Sequence, residues 1–75
     1  MDTSTAVRQR ILDLCRQRGI TVNRLATISG VTQSTVNNIV SGRNHSATVA
    51  TIKKLCDGLD ITLRDFFDAA VFEDL

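Results

Sequence analysis

Residues 21–43 read TVNRLATISGVTQSTVNNIVSGR, two short amphipathic segments that meet at a single glycine, Gly30. Thr21 stands where an N-cap belongs, its hydroxyl placed to accept from an otherwise unpaired backbone N–H, and Leu25, Ala26 and Ile28 follow as the inward side. Gly30 takes a positive φ without steric cost, so the chain reverses there, Val31 turns into the core and Thr32 caps a second helix. At about 100° per residue, Val36, Ile39 and Val40 share one side of that helix, while Gln33, Ser34, Asn37, Asn38 and Ser41 occupy the other. Gly42 closes it and Arg43 follows.

The outward side of the second helix is all amide and hydroxyl. Such groups both donate and accept hydrogen bonds, which suits base edges in a DNA major groove, where Asn and Gln pair with adenine. Asn37 and Asn38 are poor helix formers, and contact with bases or phosphates would compensate their cost. Two capped helices around a glycine turn, the second with a polar uncharged face, predict a helix-turn-helix.

Upstream, the spacing of Val7, Ile11, Leu14 and Cys15 predicts a helix from about Thr5 to Arg18, with Ser4 or Thr5 as its cap and Leu12 at the stripe's edge. Gly19 ends it and Ile20 re-enters the core. Downstream, a polar loop runs from Arg43 to about Thr48. Val49, Ile52, Leu55, Cys56 and Leu59 then recur at helical spacing, with Thr48 or Ser46 as cap. Gly58 lies near the end of that fourth helix, and Asp60 occupies the reversal, where Asp tolerates a left-handed backbone better than most residues. Thr62 and Asp65 have the spacing of a capping box and open a fifth helix with Leu63, Phe66, Phe67 and Ala70 on one side. A short sixth turn fits the remainder. The tail from Val71 is acidic and apolar together. Phe66 or Phe67 is expected in the core and Phe72 is the candidate for a subunit contact, the alternative being that Phe72 folds back onto its own domain.

At 75 residues the chain has room for one small core and for no separate sensor or catalytic domain. The expectation is a single unit over residues 1–75, with its core at about 6–67 and a tail at 68–75. Apolar residues make up 43 % of the chain and there is no Trp, Tyr or Pro, so the core should be aliphatic and helical. No apolar run is long enough to span a membrane and no signal peptide is evident, which predicts a cytoplasmic protein. Cys15 and Cys56 sit at apolar helix positions without CxxC spacing, and they read as core thiols, not metal ligands. No paired acid and base and no phosphate loop suggest catalysis, so an enzyme is not expected; nor is a metal, cofactor or small-molecule ligand. His45 has no titratable neighbour and reads as a loop residue.

Formal net charge is only +1, but it is unevenly spread. Residues 1–54 carry Arg8, Arg10, Arg16, Arg18, Arg24, Arg43, Lys53 and Lys54 against Asp2 and Asp13. Residues 55–75 carry Arg64 against Asp57, Asp60, Asp65, Asp68, Glu73 and Asp74. Local potential near a phosphate matters more than total charge, so the asymmetry fits a small DNA binder with a basic and an acidic face; ordinary solvated helix surface is the plainer explanation.

The order of these elements, the pattern TxxxLAxxxGVTxSTVxxIxxGR and the segment LDITLRDFF together resemble the lambda-repressor-like helix-turn-helix family, the Cro and xenobiotic-response-element regulators of phages and bacteria. The resemblance covers roughly residues 6 to 67 and implies an all-α, five-helix domain. Carried over by position, it implies that Thr21 and the N-terminus of the second helix abut a phosphate. It puts Thr32, Gln33, Ser34 and Asn37 on base edges, Asn38 near the groove wall, and Arg43 and Asn44 on the sugar-phosphate backbone with His45 a further candidate. There are three departures from the pattern: Val22 replaces a polar residue, Cys15 and Val40 replace a buried Arg–Glu pair, and Ala47 replaces a proline. An apolar pair avoids the desolvation of two buried charges, so stability should not suffer. The implied function is a sequence-specific, double-stranded-DNA-binding transcriptional regulator, a repressor, acting as a homodimer. The rival is a protein-interaction module, an antitoxin or adaptor that kept the fold and not the DNA; the uncharged reading face, Val22 and the acidic Phe-bearing tail are its support.

Overall fold

Three connections between helices are built to one plan. Gly19-Ile20-Thr21, Gly30-Val31-Thr32 and Asp60-Ile61-Thr62 each set a left-handed residue (φ 65°, 68° and 56°), then a β-branched apolar residue, then a threonine N-cap. In each, the apolar residue's N–H reaches back to close the preceding helix: Ile20 to Cys15 O, Val31 to Ala26 O and Ile61 to Cys56 O, all at 3.0 Å. The three apolar side chains are half-buried against the core. Each triplet thus satisfies orphan carbonyls, anchors the turn and starts the next helix within three residues.

The computed structural model describes residues 1–42, 47–73 and 75. Helices α1 (Thr3–Arg18), α2 (Val22–Ser29), α3 (Gln33–Val40), α4 (Val49–Leu59) and α5 (Leu63–Phe67) are followed by a 3-10 turn, Ala70–Phe72, and the described residues contain no strand. The expected five helices and short sixth turn are all present. Helix α1 begins earlier than its apolar stripe suggests, because Asp2 and not Ser4 or Thr5 is the cap, accepting the Thr5 N–H at 2.8 Å. Thr48 caps α4, and the capping box at α5 closes in both directions, Thr62 Oγ accepting from Asp65 N–H and Asp65 Oδ2 from Thr62 N–H.

One apolar cluster takes Val7, Ile11, Leu14 and Cys15 from α1, Leu25 and Ala26 from α2, Val36 and Ile39 from α3, Ile52, Leu55, Cys56 and Leu59 from α4, and Phe66 from α5. Phe66 is fully buried and is the largest such side chain, its removal from water being worth about 1.5–3 kcal/mol. Burial raises the pKa of both thiols above the ordinary cysteine value, as expected of core cysteines.

Several inward assignments need correcting. Ile28 is 40 % exposed and Val49 65 % exposed. The inward arc of α2 is Val22, Leu25, Ala26 and Ser29, and Ile28 lies well to one side of it. Val49 is the first residue of α4, where the helix has not yet reached the core. Helix α5 ends at Phe67, so Ala70 belongs to the 3-10 turn and is exposed. Phe67 is the solvent-facing ring, 41 % exposed, whereas Phe72 folds back half-buried, its ring centroid 6.0 Å from that of Phe66 and 5.0 Å from that of Phe67.

Helices α2 and α4 pack together at Ser29 and Gly58. A Cβ on Gly58 would lie 2.1 Å from Ser29 Oγ and 3.0 Å from Ser29 Cα, so only glycine lets the two backbones meet. The same contact buries Ser29 Oγ without a hydrogen-bond partner among the described residues.

Candidate nucleic-acid interface

The helix-turn-helix presents one continuous polar surface made from the start of α2 and the outer side of α3. Thr21 receives the Arg24 N–H on its hydroxyl at 3.0 Å and the Leu25 N–H on its carbonyl at 3.0 Å. The amides of Val22 and Asn23, first and second in the helix, then have no intrahelical acceptor and point out of its positive end. No acidic side chain stands in the first turn of either α2 or α3, so nothing there repels an anion.

On α3, Gln33, Ser34, Asn37 and Ser41 are exposed on one side, and Asn38 is half-buried at its edge. Thr32 is exposed too, but its hydroxyl is engaged twice, by the Thr35 N–H at 3.3 Å and the Thr35 hydroxyl at 2.7 Å. It is therefore fixed in place as a cap. Ser41 Oγ donates back to Asn38 O at 3.3 Å, which turns that hydroxyl toward its own helix. The exposed side chains that keep unengaged hydrogen-bonding groups are consequently Gln33, Ser34 and Asn37, the last with one amide N–H already given to Asn23. Arg43, Asn44 and His45, expected on the phosphate backbone, lie outside the described residues.

Val22, where a polar residue was expected from the resemblance, is half-buried against the core. Its side chain anchors α2, and its contribution to an anion site is confined to its backbone N–H. Cys15 is buried and Val40 half-buried in the same cluster, so the missing ion pair is replaced by packing.

Three features of the site escape a reading by periodicity. Asn23, on α2, accepts a hydrogen bond from Asn37 Nδ2 at 3.1 Å on its own Oδ1 and so links the two helices across the exposed face. Arg8 packs its guanidinium against Gly42, where a Cβ would lie 2.9 Å from its terminal nitrogen, and this brings a cation to the C-terminal end of α3. The charge division is also less sharp in space than along the chain. Lys53 pairs with Asp57 one turn on, and Arg16 pairs with Asp13 at 3.4 Å. Arg8, Arg18, Arg24, Lys54 and Arg64 make no ion pair among the described residues, which leaves Arg24 as the cation on the first turn of α2. A helix face of paired amides and a hydroxyl, beside a helix N-terminus and flanked by unpaired arginines, can bind a polyanion and read hydrogen-bonding groups along it. Among the described residues, no group of three or more His, Cys, Asp or Glu could hold a metal, and no helix is long and apolar enough to cross a membrane.

Residues 10–70 match the family described as the Cro/C1-type HTH DNA-binding domain. Two curated relatives from Bacillus subtilis are similar to this chain. RghRB, an uncharacterized HTH-type transcriptional regulator, is 37 % identical over 62 residues, which cover 83 % of this chain and 45 % of that protein. RghR, an HTH-type transcriptional repressor, is 40 % identical over 53 residues, or 71 % of this chain and 39 % of that one. The chain thus spans less than half the length of these relatives. The crystal structure of the prophage Lp1 protein 11 superposes with a TM-score of 0.85 at 36 % identity and covers 99 % of this chain and 97 % of its own.

Proposed function

Because the chain belongs to the Cro/C1-type helix-turn-helix family, we propose that it binds double-stranded DNA sequence-specifically and regulates transcription, as a repressor. The observation that carries this reading is the face of Gln33, Ser34 and Asn37, exposed, uncharged and set beside the unneutralised N-terminus of α2. Its groups suit base edges, while the α2 amides and Arg24 suit phosphates. Thr32 serves the base-reading end by fixing the first turn of α3, Asn38 meets the groove wall, and Arg43 and Asn44 complete the backbone contacts. One α3 per subunit of a homodimer would enter successive major grooves, with half-sites about 34 Å apart. The repressor role follows the name of RghR, and no compartment other than the cytoplasm is called for by a helix-turn-helix of this kind.

Selection from a random duplex pool at low salt tests the reading. Retention of DNA that falls steeply as salt rises, with enrichment of a two-fold-related sequence, is the expected result. Failure to retain any duplex at low salt overturns it and favours the protein-interaction module, for which the exposed Phe67 ring is the supporting observation.

A further inference from the structure

We infer that Arg8, on α1 and outside the helix-turn-helix, is a further backbone-binding residue that takes a DNA phosphate at the C-terminal end of α3; the inference rests on the DNA-binding reading above. The Arg8 guanidinium lies over Gly42, so close that a Cβ there would be 2.9 Å from its terminal nitrogen. Gly42 follows Ser41, the last exposed residue on the outer side of α3, and is itself followed in the sequence by Arg43. A side chain of the first helix thus ends beside the surface that would meet the groove.

Nothing in the chain neutralises this cation. Arg8 forms no hydrogen bond and no ion pair among the described residues. Of the two acids near it in sequence, Asp2 caps α1, and Asp13 accepts from Gln9 Nε2 at 2.9 Å and pairs with Arg16 at 3.4 Å. From Leu14 to Cys56 the sequence has no Asp or Glu, so neither α2 nor α3 offers Arg8 a carboxylate. The end of α3 attracts a cation, but the carbonyls of Asn37, Asn38 and Ile39 already accept from the Ser41 N–H, the Ser41 hydroxyl and the Gly42 N–H. A helix end also presents only about half an elementary charge, against the whole charge of a guanidinium. Arg8 therefore keeps its N–H donors and much of its charge for an external anion, and a phosphate matches that fork with two parallel N–H···O bonds. Because the side chain is half-buried before DNA arrives, less rotamer freedom is lost on binding.

The experiment measures duplex binding across a salt series for the wild-type chain, Arg8→Ala, Arg8→Gln and Arg8→Lys, with thermal unfolding of each. Arg64→Ala is the control for loss of one positive charge, since Arg64 is exposed and unpaired on α5, between Asp60 and Asp65 in the sequence. Arg8→Ala and Arg8→Gln should weaken a selected site and a scrambled duplex by the same factor, with the salt slope reduced by about 0.9, the value for one phosphate contact. The affinity ratio of wild type to either variant should accordingly fall about three-fold between about 50 and 200 mM salt. Arg8→Lys should keep the wild-type slope, and so should Arg64→Ala. If Arg8→Ala does not fold, Arg8→Gln, which keeps part of the packed stem, gives the same readout. A purely structural role at the end of α3 would lower the unfolding temperature and leave the slope as it is. That result, or an equal loss of slope in Arg64→Ala, overturns the inference while the DNA-binding reading stands. If the wild-type chain retains no duplex, that reading falls and takes the inference with it.

Discussion

Arg10 donates from Nε to the carbonyl oxygen of Phe66 at 2.6 Å, tying the middle of α1 to the C-terminal turn of α5 across 56 positions of sequence. A second nitrogen of the same guanidinium reaches Asp65 O at 2.7 Å. The fork satisfies two carbonyls at the end of a five-residue helix that has too few internal bonds to stand alone, and it holds Phe66 over the core. Arg10→Ala should therefore lower unfolding stability by about 1.5–3 kcal/mol, the range for a charged hydrogen bond. Urea denaturation checks it, and Arg10→Lys, which keeps the charge but not the fork, should recover only part of the loss.

Gly58→Ala would ordinarily help a helix by about 0.8–1.0 kcal/mol. Here the new methyl would meet Ser29 Oγ at 2.1 Å and Ser29 Cα at 3.0 Å. Backbone must move, and a net loss of about 1–3 kcal/mol is expected. Ser29→Ala should act in the opposite direction, raising stability by about 1 kcal/mol, because it removes a buried hydroxyl that has no partner. Thermal unfolding of the two single variants gives both signs.

The Asp65 carboxylate is held below its ordinary pKa of 3.8, first by the Thr62 backbone N–H and then by the Thr62 hydroxyl. A carboxylate whose folded-state pKa is lowered contributes stability above its unfolded pKa and loses it as pH falls through the folded value. Asp65→Asn should therefore be less stable than wild type at neutral pH, the gap closing below about pH 4. Stability profiles of the two chains between neutral and acid pH would show it, and a gap independent of pH would contradict the box.

Gln33→Ala should reduce discrimination at particular base pairs by about 1–3 kcal/mol while leaving the salt dependence of binding unchanged. Arg24→Ala should do the reverse, weakening all sequences alike and lowering the salt slope by about one. Binding isotherms on a selected site and on a scrambled duplex, each across a salt series, separate the two behaviours.

Cys15 and Cys56 should react slowly with a thiol reagent in the native chain at pH 8 and at the free-thiol rate in denaturant. Burial raises both pKa values, and Asp57 adds to the shift at Cys56. Fast native reaction of either would mean that the core opens there.

Much of this architecture is legible in the sequence because its punctuation is local. Thr21, Thr32 and Thr62 cap where they were expected to, and Gly19, Gly30 and Asp60 reverse the chain where the periodicity stops. What periodicity cannot supply is the width and phase of a buried arc in a helix of eight residues. Periodicity puts Ile28 inward for that reason, and Val49 because apolar spacing does not report how far a helix end overhangs the core. Asp2 carries no sign of its role as a cap, because the apolar stripe begins only at Val7, five residues later. The contacts of Arg10, Asn23 and Gly58 join residues remote in sequence, and their local surroundings carry no sign of the partner. Only Gly58 left a trace, as a glycine inside a helix that pattern alone does not explain. On the outer side of α3, the exposure of Gln33, Ser34 and Asn37 follows from the helical wheel, but that Thr32 and Ser41 turn their hydroxyls toward their own helix does not.

The neutral threonine caps of α2 and α3 carry a thermodynamic consequence. An aspartate would cap either helix as well, but it would place a carboxylate beside the phosphates and couple DNA binding to proton uptake. Thr21, Thr32, Asn23, Gln33, Ser34 and Asn37 on the described face carry no group that gains or loses a proton near neutral pH. That described face therefore contributes no proton-linked term of its own, and any dependence of site occupancy on the acidity of the solution would have to enter through groups outside it, His45 among them.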